Sequence, residues 1–147
     1  MNQAPKLSKQ SGSVLLETVL VMVVLAPLMS SIFEICLMTY AYTTLNDAAR
    51  EGVHYAMSHG SGSSNCSGPS AGCADPTAAN VTAVVVQQSK LSMKDMTHLS
   101  VSVSYPDGNS NPSSRVQVSL SYPYSPFVFY PEFSQTVNLS SEGRIIF

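Results

Sequence analysis

Charge is what this sequence has least of: seven Lys or Arg and nine Asp or Glu among 147 residues, a formal net charge of -2. So thin a basic complement leaves no electrostatic footprint for a nucleic acid, whose recognition starts from clustered Lys and Arg. Catalytic groupings are missing too. The three histidines, His54, His59 and His98, are scattered, and there is no glycine-rich phosphate loop or nucleophile elbow. The expectation is a protein that is not an enzyme and carries no cofactor. No internal repeat is visible, and the length suits one domain of modest size.

Against this background one stretch stands out, residues 12–52. It opens on Gly12, with Glu17 five positions later, and residues 14–38 are almost wholly apolar. Fourteen of those 25 are Leu, Ile, Val or Phe. At roughly −0.3 to −0.6 kcal/mol each they favour membrane insertion by on the order of 4 to 8 kcal/mol, against about 2.5 to 3.5 kcal/mol for an acid at the bilayer centre. Glu17 and Glu34 lie near the two ends, where the penalty is smaller. At about 1.5 Å per residue the run reaches roughly 37 Å, enough for a hydrocarbon core of about 30 Å. Pro27 removes one backbone donor and is expected to kink the helix, which membrane helices tolerate.

The flanks give an orientation. Lys6, Lys9 and the amino terminus precede the run without any acid, so residues 1–12 are expected on the cytoplasmic side and everything after about residue 42 outside, in a bacterium the periplasm. A cleaved secretory signal fits poorly, because its apolar region spans only about 7–15 residues. Its best small-residue site, Val24-Leu25-Ala26, runs into Pro27. A lipoprotein reading requires a small residue before the cysteine, and Ile35 precedes Cys36.

Glycine, four residues, then glutamate at the mouth of an apolar helix resembles the processing site of type IV prepilins and pseudopilins. A second acid, Glu34, follows seventeen residues on, and Ala48-Ala49-Arg50-Glu51-Gly52 begins fourteen residues after that. Together these resemble the TadE-like pseudopilins, minor components of the Tad (tight adherence, Flp-type) pilus machinery. The likeness is strong over residues 12–58 and only general beyond. Two departures are visible: Pro27 lies about one turn later than the family's usual proline, and Ser31 stands where a glycine is usual before the second acid.

The resemblance implies that a prepilin peptidase cuts between Gly12 and Ser13, and that Glu17, fifth in the mature chain, assists assembly. It also implies a pilin-like α+β fold, a long helix running from the membrane into a small periplasmic domain. The implied partners are the lipid bilayer, the peptidase, and other pilins, pseudopilins and inner-membrane assembly proteins. The chemistry is intelligible. Cleavage would free an α-amino group on Ser13 at the membrane face, and Glu17 of a neighbouring subunit could neutralise it, favouring one axial register. The plainer reading of Glu17 is an acid that reaches the headgroups or is protonated. Glu34 falls about 100° around the helix from Glu17, so the two acids do not line one face. The competing function is an unprocessed, single-pass anchored periplasmic binding or scaffold protein.

After the membrane run, Tyr40 and Tyr42 sit where an aromatic belt would be. The helix is expected over residues 13–57, with Leu45, Ala48, Ala49, Val53 and Ala56 making one apolar stripe. Asp47 and Arg50 can attract each other across one turn; without the family likeness, Arg50 and Glu51 read as a solvated face. Residues 58–74 form a Ser/Gly-rich loop. In an oxidising compartment Cys66 and Cys73 are expected to pair. The rival is a metal site helped by His59 and His54, though this cysteine spacing fits no common zinc pattern. Cys36, in the apolar run, reads as a packing residue.

Residues 75–147 are expected to fold as a small α+β domain. Asp75-Pro76 opens a second helix, as cap and first-turn proline. Val81, Val84, Val85 and Leu91 form its apolar face, and it ends near Met93. Then the period changes to two. Leu99, Val101, Val103 and Tyr105 alternate with serines, and Val116, Val118, Leu120 and Tyr122 alternate with Gln117, Ser119 and Ser121, a hairpin about Pro106-Asp107-Gly108-Asn109. Residues 123–131 read as an aromatic loop (Tyr124, Phe127, Phe129, Tyr130), followed by a third strand with Val137 and Leu139 that extends toward Ile145.

Overall fold

The structure is a computed structural model and describes residues 10–90, 96–126 and 134–147. It contains helix α1 (Gln10–Ser58), helix α2 (Ala79–Lys90) and strands β1 (Ser100–Ser104), β2 (Arg115–Tyr124) and β3 (Gln135–Arg144). The chain divides into two compact units, Met1–Leu37 and Met38–Phe147.

In the first unit the described residues form α1 alone. Its apolar side chains are bare, Leu16 at 70% exposure and Val23 at 66%, and the helix is long and apolar enough to cross a membrane. The hydroxyls of this segment turn back onto their own helix. Ser30 Oγ donates to the Ala26 carbonyl at 2.9 Å and Ser31 Oγ to that of Pro27 at 2.8 Å, and Thr18 Oγ1 donates to the Val14 carbonyl. In hydrocarbon an unpaired donor costs several kcal/mol by order of magnitude, so each of these bonds removes an obstacle to insertion. The helix runs unbroken through Pro27.

The second unit holds the core. Leu45, Ala48, Ala49, Val53 and Ala56 of α1 are all buried, together with Val81 and Val85 of α2, Val116, Val118 and Leu120 of β2, Val137 and Leu139 of β3, and Ile145. The α1 stripe at helical spacing is therefore the face that packs. Each fully buried Val or Leu contributes about 1.5–3 kcal/mol relative to exposure. The three strands form an antiparallel sheet in the order β1-β2-β3. Side chains alternate along β2, with Val116, Val118 and Leu120 inside and Gln117 and Ser119 on the other face, half-buried. That other face is a polar ladder in which Ser102, Ser119 and Ser140 lie in one cross-strand row.

Helix α1 runs about three residues further at its start than expected, and two other boundaries differ for a physical reason. Helix α2 begins at Ala79, not at Asp75-Pro76; a turn with Ala78 at a φ of 55° intervenes, and Asp75 caps from across it. Pro123 and Tyr124 belong to β2 rather than to a loop. Proline is tolerated there because β1 pairs with β2 only as far as Ser121, leaving Pro123 with a partner on the β3 side alone. The third strand extends toward Ile145 as expected, ending at Arg144, one residue before that buried side chain. Leu91 and Met93 at the expected end of α2, and Phe127, Phe129, Tyr130 and Pro131 of the aromatic loop, lie outside the described residues.

Candidate processing and assembly segment

The two glycines of α1 have opposite surroundings. Gly12 is exposed, and a Cβ added to it would meet nothing within 4 Å. Nor does it stand among the glycines with positive φ. Among the described residues, neither packing nor backbone conformation requires glycine at position 12, and glycine in a helix costs roughly 0.5–1 kcal/mol relative to alanine. Gly52 is the contrary case: a Cβ there would collide with Cγ2 of Val85 on α2 and lie 3.6 Å from Cγ1 of Val118 on β2.

The Ala48–Gly52 run therefore divides by face. Ala48, Ala49 and Gly52 are buried, the small side that lets α1 approach α2 and the sheet, while Arg50 and Glu51 are exposed. A further glycine serves the same close packing, since a Cβ on Gly143 of β3 would lie 2.5 Å from Met57 Sδ and Val53 Cγ1 of α1. Ser13 and Glu17 are exposed on α1, one helical turn apart, and Glu34 is half-buried. Cys36 is an exposed free thiol. Tyr40 and Tyr42 are half-exposed at the start of the second unit.

Cys66 and Cys73 form a disulfide, with Cα atoms 4.9 Å apart. His59 is engaged elsewhere: its ring stacks on Tyr55 with centroids 3.9 Å apart, and its Nδ1 lies 3.0 Å from Ser58 Oγ. Among the described residues there is no group of three or more His, Cys, Asp or Glu able to hold a metal ion.

Beside the disulfide lies a buried polar knot. Asp75 accepts hydrogen bonds from the Ser67 hydroxyl at 2.7 Å and the Asn80 backbone N–H at 2.8 Å, both on Oδ2, and from the Thr77 hydroxyl at 3.0 Å on Oδ1. Burial pushes the Asp75 carboxyl up, but the bonds from Asn80, Ser67, Ala79 and Thr77 outweigh it and hold the group at about 2, against an ordinary 3.8. The Tyr105 hydroxyl donates to the Ser67 carbonyl at 3.1 Å. Burial, and secondarily the Asp75 charge, push its pKa up to about 12. Asp75 was legible as a helix cap; its partners Ser67 and Tyr105, eight and thirty residues away in sequence, carried no pattern that could have announced them.

A helix able to cross a membrane, followed in sequence by an α+β unit with a three-stranded antiparallel sheet, defines the class: an α+β protein with one candidate membrane-spanning helix among the described residues. A family likeness is confined to the helix. Residues 12–54 match the family model described as TadE-like protein. That match lies wholly inside α1, from the exposed Gly12 through both acids to just past Gly52. No curated protein and no solved structure shows significant similarity to the chain.

Proposed function

We propose that this chain is a minor pseudopilin of a Tad-type adhesion pilus, held in the bacterial inner membrane by α1 with everything after about residue 42 in the periplasm. A prepilin peptidase removes residues 1–12, and the mature chain, starting at Ser13, takes part in pilus assembly with other pilins or pseudopilins and inner-membrane assembly proteins. Its role is structural rather than catalytic. The observation that carries the reading is the coincidence at Gly12. The TadE-like match begins there, and among the described residues that glycine has no packing or conformational reason. A residue that its own fold does not need is well explained by an external reader, and a peptidase cutting after glycine is such a reader.

Glu17 has a complementary part. In the assembled state its carboxylate neutralises the new Ser13 amine of a neighbouring subunit, an arrangement whose value in low dielectric comes from the cost of leaving either charge unpaired. The test is a pair of variants in cells with an intact Tad system. Gly12→Leu should leave the protein full-length, while Glu17→Ala should give a processed protein that fails to support pili. Two silent variants would contradict the reading and favour an unprocessed anchored domain.

A further inference from the structure

The loop of residues 66–75 is tied to the end of α1, to the β1–β2 connection and to the start of α2. Ser67 N–H donates to the His59 carbonyl at the end of α1 at 2.8 Å. Ser70 Oγ accepts from Ser110 N–H at 3.0 Å and from Ser110 Oγ at 2.8 Å, fastening the loop to the β1–β2 connection. Gly68, at a φ of 138°, sits where a Cβ would lie 2.7 Å from Ser110 Cβ and 2.9 Å from the Tyr105 ring, so the backbone is pressed against that connection. Asp75 caps α2 through Asn80 N–H. The disulfide closes residues 66–73 of this loop. Cys66 and Cys73 flank the short parallel bridge between Ser67 and Asp75, which is made by Gly68 N–H to the Asp75 carbonyl at 2.8 Å and Asp75 N–H to the Cys66 carbonyl at 3.3 Å.

We infer that the Cys66–Cys73 disulfide is a redox latch on helix α2: its closure holds Ser67 and Asp75 together, and so presents the Asp75 carboxylate to the start of the helix. With the disulfide open, the eight residues from Cys66 to Cys73 recover their chain entropy and the bridge loses its clamp. Asp75 then no longer stands where Ser67 Oγ and Asn80 N–H can share it. The described part of helix α2 is 12 residues, a length that depends on its cap and its packing to hold in water. When it loosens, Val81 and Val85 leave the core and Gly52 of α1 loses its cover. The part of the small-residue face of α1 that Val85 covers at Gly52 is thus shielded by α2 only in the oxidised protein. Closure removes two protons and two electrons from the Cys66 and Cys73 thiols and delivers them to a disulfide-bearing oxidant, which leaves as a dithiol; a dithiol reductant reverses the same exchange.

The test is amide hydrogen exchange on the full chain in detergent micelles, before and after treatment with a dithiol reductant. The latch predicts that exchange in α2 rises roughly ten-fold or more on reduction, while residues 115–124 and 135–144 keep their protection. Unchanged protection of α2 would overturn the inference. So would an equal rise throughout α2, β2 and β3, which would make the disulfide a general staple. A second comparison keeps the question open to refutation if reduction is incomplete. Asp75→Asn should speed exchange in α2 of the oxidised chain but add little to a Cys66→Ser/Cys73→Ser chain. Equal effects in both backgrounds would show that cap and disulfide act independently.

Discussion

Gly52 of α1 and Val85 of α2 approach so closely that no methyl group fits between them. Val85 is fully buried, and as a β-branched side chain it has little rotamer freedom with which to yield. Gly52→Ala should therefore cost about 1–3 kcal/mol, the range of core overpacking, despite alanine's better helix propensity. Chemical denaturation of the micelle-bound protein followed by far-UV circular dichroism measures it. A stability equal to or above wild type would contradict the observed contact.

Gly12→Ala has the opposite expectation for folding. With open space around Gly12, alanine should leave the unfolding midpoint of the second unit unchanged, within about 0.5 kcal/mol. The same assay checks it, and a loss like that of Gly52→Ala would mean that Gly12 has a packing role after all.

On the exposed side of the Ala48–Gly52 run, Arg50→Ala and Glu51→Ala should each change stability by no more than about 0.5 kcal/mol. Ala49→Leu should destabilise by about 1–3 kcal/mol, because Ala49 is fully buried. If Arg50 and Glu51 matter to the function, their variants will fail in assembly while folding normally.

The polar knot sets a pH dependence with two ends. Asp75 has its folded pKa depressed to about 2 from 3.8. Its contribution is thus present above roughly pH 4 and is lost as pH falls toward 2, where the unfolded chain binds the proton more readily. Tyr105 is raised from 10.0 to about 12. Its contribution is present below pH 10 and is lost as pH climbs toward 12, because the unfolded phenol ionises first. Asp107, held at about 2 by Arg115 with a 2.8 Å ion pair, adds a solvent-screened share at the acid end. Unfolding midpoints across pH should lose part of their acid slope in Asp75→Asn and part of their alkaline slope in Tyr105→Phe. Unaltered slopes would show that the knot is not what titrates.

Much of the fold was legible because its periods are clean. Leu45, Ala48, Ala49, Val53 and Ala56 recur at helical spacing and are the buried face of α1; Val116, Val118 and Leu120 alternate and are the buried face of β2. What was not legible depends on long-range geometry. Asp75 announces a cap, but only the intervening turn at Ala78 decides that it reaches Asn80 from outside the helix. Pro123 argues for a loop until the short length of β1 shows that a proline there interrupts no second ladder. In the candidate segment, the spacing from Gly12 to Glu17 and on to Glu34 is a sequence property and was readable at once. That Ala48, Ala49 and Gly52 are packing residues while Arg50 and Glu51 are exposed required knowing what lies against α1.

The most direct test of the account is the intact mass and amino-terminal sequence of the protein extracted from its native membrane, in cells with an active prepilin peptidase. The account predicts a mature chain beginning at Ser13. A chain that still carries residues 1–12 would contradict it.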